Sequence, residues 1–348
     1  MRSTLAIALV TATAVTLVAS RGQERPTGQG FSFRTGVELV SVAATVTDAS
    51  GRFVPGLKRE DFVVYEDGKL QDVSQFDAER VPVSLGIALD TSGSMLGEKI
   101  AAAQAALNRF LIDLLGPQDE VFLYRFNSRP DLVQSWTTDR LSVSRTLGTI
   151  KPNGGTAIYD TVAEAVPLAQ AGSRRKKALV IISDGNDTSS HLKLPALQQI
   201  IRETEVLVYA IGIDASERSD DRYSSSSSSS ASTPSPRSSQ PVPSPFPGKQ
   251  PMASSTSKPS AHKSSSSTDR VNPEALRSIT DETGGRTEII VSHRDLDPVT
   301  AGIADELSKQ YFLGYVSSVH KDGRWHTIEV RLRKGNYTVR ARKGFIAS

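Results

Sequence analysis

Asp90-Thr91-Ser92-Gly93-Ser94 sets one carboxylate and two hydroxyls at alternate positions, just after an apolar run. Oxygen donors of this kind suit a hard divalent cation. Mg2+ takes about six oxygens at roughly 2.0–2.1 Å and gives up its waters reluctantly, so neutral hydroxyls backed by carboxylates fit it. Asp-x-Ser-x-Ser alone is a weak signal, because Asp and Ser also cap helices and a helical pattern begins just after Gly97. Two more oxygen-rich runs strengthen it: Gly154-Gly155-Thr156 leads into a helical pattern, and Ser183-Asp184-Gly185 follows an apolar strand pattern. All three runs converge if they sit at the carboxyl ends of strands in one open α/β sheet, where ligand sites of such sheets collect. Asp187, three residues beyond Asp184, reads as a solvated loop carboxylate rather than further site charge.

Competing chemistries are poorly supplied. With no cysteine, thiolate metal sites, thiol catalysis and disulfides are excluded, and any metal must take oxygen or imidazole ligands. A metal-dependent hydrolase, or a phosphatase using Asp90 as nucleophile, is the enzyme alternative, but no acid or base partner accompanies the three runs. His191, His262, His293, His320 and His326 all fall outside them and read as surface residues. Neither a Gly-x-Ser-x-Gly elbow around Ser92 or Ser94 nor a phosphate-binding Gly-x-x-x-x-Gly-Lys-Ser/Thr loop occurs. The expectation is therefore a protein that is not an enzyme. A net charge of +3 with 38% hydrophobic and 23% charged residues gives nucleic-acid binding no support and excludes wholesale disorder.

The elements that must position these residues alternate between strand and helix. Val83 to Asp90, Val121 to Phe126, Ala178 to Asp184 and Val206 to Gly212 are short apolar runs of the kind buried on both faces of a parallel sheet. Between them lie helical spacings such as Ile100, Ala103, Leu107, Phe110 and Leu111, closed by Gly116-Pro117. Pro167 is expected to kink or shorten the helix that begins after Gly154-Gly155. Asn272 and Pro273 supply an N-cap and a first helical position, and Asp297-Pro298 opens a last helix. These patterns predict a doubly wound, mostly parallel, Rossmann-like α/β sheet with helices on both faces.

The flanks are different. Gly36 to Arg80 reads as a small all-β segment, too short for a sandwich of its own, and Trp325 to Arg333 with Tyr337 to Phe345 reads as a hairpin around Lys334-Gly335-Asn336. The α/β region is thus expected to be inserted into a small all-β, immunoglobulin-like sandwich built from both flanks. The expected boundaries are 36–80 for the amino-terminal part, 81–318 for the α/β domain and 319–348 for the closing hairpin. Within the α/β domain, 216–267 is a disordered insertion by composition, with 22 serines and eight prolines. Its six basic and three acidic residues carry all of the net charge.

From Val81 to Ser318 the chain resembles the von Willebrand factor type A domain with its metal-ion-dependent adhesion site. The match rests on Asp90, Ser92 and Ser94, on Thr156 and on Asp184, together with the strand and helix order. The resemblance implies direct ligation by the hydroxyls of Ser92, Ser94 and Thr156, with Asp90 and Asp184 holding metal-bound waters. It further implies an Mg2+ site, with Mn2+ or Ca2+ as alternatives, whose open position takes an Asp or Glu carboxylate of a protein partner. More narrowly, the Tyr311 to Tyr315 and Arg340 to Phe345 segments look like those of an exported acidobacterial family related to this domain.

An apolar run from Leu5 to Val18 after Arg2, with small residues at Ala19 and Ser20, reads as a signal peptide over 1–20, too short and too rich in threonine for a spanning helix. No later segment is apolar enough to span a bilayer. The expectation is an exported protein, periplasmic, cell-surface or extracellular, that binds a protein partner through a divalent cation. A structural envelope protein without metal-dependent binding is the alternative.

Overall fold

The computed structural model describes residues 39–214, 271–319 and 321–347, so the 1–20 leader and the 216–267 insertion lie outside the described residues. Alternation turns Val40, Val42, Ala44 and Val46 inward along Leu39–Thr47 (β1). Phe62–Glu66 (β2) and Lys69–Gln71 (β3) form a hairpin, and Val73–Asp77 (β4) follows. Asp67 and Gly68, at φ 48° and 76°, give that hairpin the turn whose twist matches its strands.

Val83–Asp90 (β5) is buried at every position and forms the centre of the α/β part. Around it lie Glu98–Arg109 (α1), Glu120–Phe126 (β6), Pro130–Thr137 (β7), Arg140–Gly148 (α2), Ile158–Gln170 (α3), Lys176–Ser183 (β8), Leu194–Arg202 (α4) and Leu207–Ile213 (β9). Pro273–Thr280 (α5), Thr287–Ile290 (β10) and Leu296–Lys309 (α6) complete it. The sheet runs β10-β9-β8-β5-β6-β7, parallel except for β7 at one edge. Leu85, Ile87 and Leu89 pack under α1, α2 and α6, whereas Ala88 joins the core under α3, α4 and α5. The predicted doubly wound sheet with helices on both faces is therefore present. Because β5 lies between β8 and β6, connections leave it toward opposite faces, and its carboxyl end is the crevice such sheets offer to ligands.

Tyr311–Val316 (β11), Trp325–Leu332 (β12), Thr338–Arg340 (β13) and Gly344–Ile346 (β14) close the chain. They share two four-stranded sheets with the first strands, in orders β13-β1-β11-β4 and β14-β12-β2-β3. The α/β segment is thus inserted between strands of a small sandwich.

Three expectations need correction, and one strand was not foreseen. Tyr311–Val316 was placed inside the α/β domain, but it pairs antiparallel with β1 and β4 in the sandwich. Its apolar text fits either sheet; Tyr311 decides, stacking on Phe53, packing against Phe62 and Phe76, and donating its hydroxyl to Val54 O at 2.7 Å. The closing hairpin is split: β12 pairs with β14, while β13 crosses to β1 in the other sheet. Edge strand β7 has a weak alternation because its residues are only half-buried, and sequence reading misses it. Helix α3 runs through Pro167 to Gln170; the missing N–H lies in its last turn, and Pro167 O still accepts from Ala171 N at 3.1 Å.

His326 is also not a surface residue. It is 8% exposed, with Nδ1 2.7 Å from Asp67 Oδ2 and Nε2 3.1 Å from Asp322 Oδ1. The hydrogen bond to Asp67 raises its pKa above 6.5, and the same contacts hold Asp67 and Asp322 below 3.8. The histidine's contribution is complete below about pH 6.5 and is lost as pH rises through its folded-state value. The carboxylates' contribution is complete above about pH 4 and is lost on acidification. Between about pH 6.5 and 9, the melting temperature of the wild type should fall more than that of His326→Gln. Parallel curves for the two proteins would remove this assignment.

Candidate metal centre

At the carboxyl end of β5 the chain must leave a fully buried strand, and Asp90 makes the exit. Its Oδ1 accepts from Ser92 N at 2.8 Å and its Oδ2 from the Ser183 hydroxyl at 2.5 Å, so both oxygens are engaged and the side chain cannot turn. Burial pushes the Asp90 carboxyl up to about 6. Thr91 points the other way, its hydroxyl donating to Phe126 O at 2.9 Å, and this alternation brings Ser92 and Ser94 to one side. Their hydroxyls are 2.9 Å apart, and Ser94 Oγ donates to Asp184 Oδ1 at 2.7 Å. The other Asp184 oxygen accepts from Lys99 Nζ at 2.6 Å.

The second loop is fastened to the first by its backbone: Gly93 N donates to Gly154 O at 2.9 Å and Asn153 N to Thr91 O at 2.7 Å. Thr156 O accepts from Thr188 N and Ser189 N at 2.8 and 2.9 Å, and Thr156 N donates to Thr188 Oγ1 at 3.0 Å. The buried Thr156 is thus fixed through its backbone, while its hydroxyl makes no hydrogen bond among the described residues. Gly185 faces that hydroxyl. A methyl group there would lie 3.3 Å from Thr156 Oγ1 and 4.0 Å from Ser94 Oγ.

All five residues singled out in the sequence, Asp90, Ser92, Ser94, Thr156 and Asp184, therefore stand at one end of the sheet. Their donor set passes a simple chemical test for a hard cation: three hydroxyls, two buried carboxylates, and a small space kept open by a missing side chain. Among the described residues no group of three or more His, Asp or Glu converges.

Asp187 fits neither sequence reading. Its Oδ1 accepts from Ile158 N at 2.9 Å and from the Ser190 hydroxyl at 2.5 Å, which makes it a partner of the exposed N–H groups at the start of α3. Sequence reasoning placed Ser183 and Gly185 in the third run without giving either a role, and it missed Lys99. Lys99 had a detectable signal: a lysine in the first turn of a helix opposes the macrodipole and calls for a nearby anion.

Residues 85–186 match the family profile of the von Willebrand factor type A domain, and the chain carries such a domain. Among curated relatives, inter-alpha-trypsin inhibitor heavy chain H2 of Mesocricetus auratus is 27% identical over 148 residues, 38% of this chain and 16% of that protein. Heavy chain H4 of Bos taurus is 28% identical over 136 residues, 35% of this chain and 15% of that protein. The chain thus matches only a small part of these relatives' length. Among solved structures, a von Willebrand factor type A protein from Catenulispora acidiphila aligns over 89% of this chain and 75% of its own at 12% identity, TM-score 0.46. Proximal thread matrix protein 1 of the mussel byssus, with zinc in its adhesion-site motif, aligns over 70% of this chain and 50% of its own at 12% identity, TM-score 0.46.

Proposed function

We propose that this chain is an exported, non-enzymatic module that binds a protein partner through a divalent cation, Mg2+ or Mn2+. Asp90, Ser92, Ser94, Thr156 and Asp184 hold the ion, and an Asp or Glu carboxylate of the partner completes its coordination. The observation that carries this reading is the Thr156 hydroxyl, which makes no hydrogen bond among the described residues and, like Ser94 Oγ, borders the space beside Gly185. The cation supplies positive charge that a carboxylate can bind as a charge-assisted contact. The chain's own part is positional. Ser183 and the Ser92 N–H lock Asp90, Asp184 orients the Ser94 hydroxyl, and the loop of Thr188 and Ser189 fixes Thr156. Three neutral hydroxyls leave much of the ion's charge available to the partner.

The non-enzymatic part of the reading is supported by Asp90 itself, since a carboxylate with both oxygens hydrogen-bonded is a poor nucleophile. The ring of His191, 96% exposed and bonded to Asp160, offers no base at the site. Export is supported by the Leu5 to Val18 run, and no helix among the described residues is long and apolar enough to cross a membrane.

Calorimetric titration of Mn2+ into the full chain tests the proposal. Wild type should saturate, and Gly185→Ala should bind about tenfold more weakly with an unchanged circular dichroism spectrum. Gly185 does not sit at positive φ, so alanine fits its backbone and the methyl group presses on Thr156 Oγ1 and approaches Ser94 Oγ. A folded wild type with no saturable binding would leave the structural, metal-independent alternative as the better reading.

A further inference from the structure

We infer that Lys99 is a tethered counter-ion that occupies the charge position of the metal centre and competes with the divalent cation; the inference rests on the metal reading above. Asp184 has a side chain with no exposed surface, and an ionised carboxylate there is costly unless a positive charge accompanies it. Lys99 supplies that charge. Its Nζ lies 2.6 Å from Asp184 Oδ2 and 3.2 Å from Ser94 O, bridging two of the three loops' contributions to the site.

The location of this lysine is otherwise unfavourable. Lys99 is in the first turn of α1, where free N–H groups repel a cation. The turn is aimed by Gly97, at φ 84°, a conformation that glycine adopts without strain. With Ser94 bonded to one oxygen and Lys99 to the other, each Asp184 oxygen already has a partner from this chain. An ion held between Ser92, Ser94 and Thr156 would face the ammonium at short range, and like charges at such a distance repel strongly even with partial solvent screening. The lysine has somewhere to go: its side chain is 23% exposed, and its flexible stem lets the ammonium swing into water. Cation entry and Lys99 release are therefore one exchange at Asp184, and removal of the lysine charge, by substitution or acylation, opens the site.

Two measurements on the full chain test this. Calorimetric titration of Mn2+ at low salt should show Lys99→Gln binding about tenfold more tightly than wild type. Acylation of wild-type Lys99 by an amine-reactive reagent, followed by mass spectrometry with Lys177 as internal reference, should accelerate when Mn2+ saturates the protein. Binding in Lys99→Gln alone would support the inference in its strongest form. Equal or weaker binding in Lys99→Gln, with saturable wild-type binding, overturns it and leaves the metal reading standing. No binding in either protein removes both. Should Lys99→Gln fail to fold, the labelling decides: an acylation rate indifferent to Mn2+ overturns the inference.

Discussion

Replacing Asp90 with asparagine is expected to weaken Mn2+ binding by roughly 100-fold while the chain stays folded. The substitution keeps size and shape. The amide oxygen still accepts from Ser92 N, and the amide nitrogen donates to the Ser183 hydroxyl, which exchanges its donor role for that of acceptor. What disappears is a charge, and a centre whose direct ligands are neutral hydroxyls would depend heavily on its two carboxylates. The metal-free protein loses nothing comparable, because a fully buried carboxylate carries a desolvation cost that an amide does not. Asp90→Ala is a poorer probe: it leaves the Ser183 hydroxyl and the Ser92 N–H without their acceptor, at about 1–3 kcal/mol for each buried group. Calorimetry for the ion and thermal melting for the fold separate the two effects. Undiminished Mn2+ binding by a folded Asp90→Asn protein would remove Asp90 from the centre.

The convergence of the candidate residues was legible because the strand order that joins their loops shows as apolar runs with oxygen donors at their ends. Asp90, Ser92, Ser94, Thr156 and Asp184 could each be found from residue type and place in that pattern. Ser183 was not, because its hydroxyl faces Asp90 only once β8 lies against β5, and a serine at the end of a strand carries no mark of that neighbour. The Asp187 contact with the start of α3 depends likewise on the approach of two loops distant in sequence. Sandwich strands were harder than the central ones. The run Tyr-Phe-Leu-Gly-Tyr is apolar enough for a buried parallel strand, and only the Phe53, Phe62 and Phe76 rings around Tyr311 settle its membership. The supposed closing hairpin failed because its second arm changes sheets between Thr338–Arg340 and Gly344–Ile346, a switch that local alternation does not encode.

The second large effect is expected outside the candidate metal centre, at Glu306 on α6. Its side chain is 9% exposed and gathers contacts from both parts of the fold. Oε1 accepts from Tyr209 of β9 at 2.8 Å, from Thr45 of β1 at 3.2 Å and from Arg340 of β13, and Oε2 pairs with Arg286 at 3.1 Å. Gln310 adds bonds to Thr45 at 3.1 Å and to Tyr209 at 3.0 Å. One carboxylate thus pairs with two guanidiniums, of which Arg286 also contacts Glu288, and accepts from two hydroxyls where the sandwich meets the α/β sheet. Glu306→Ala leaves Arg286, Arg340 and the Tyr209 phenol, whose titration burial already pushes upward, around a hole, and should destabilise by about 3–5 kcal/mol. For a chain of this size that corresponds to a fall of about 10 °C in melting temperature. Glu306→Gln keeps an acceptor for the hydroxyls and should lose less. A change below about 2 °C in Glu306→Ala would show that the contacts gather at Glu306 without depending on it. Because α6 packs beside α1 over the same core, Mn2+ titration of Glu306→Gln shows whether the clamp bears on the site. Unchanged affinity confines the network to holding the inserted sheet in its sandwich.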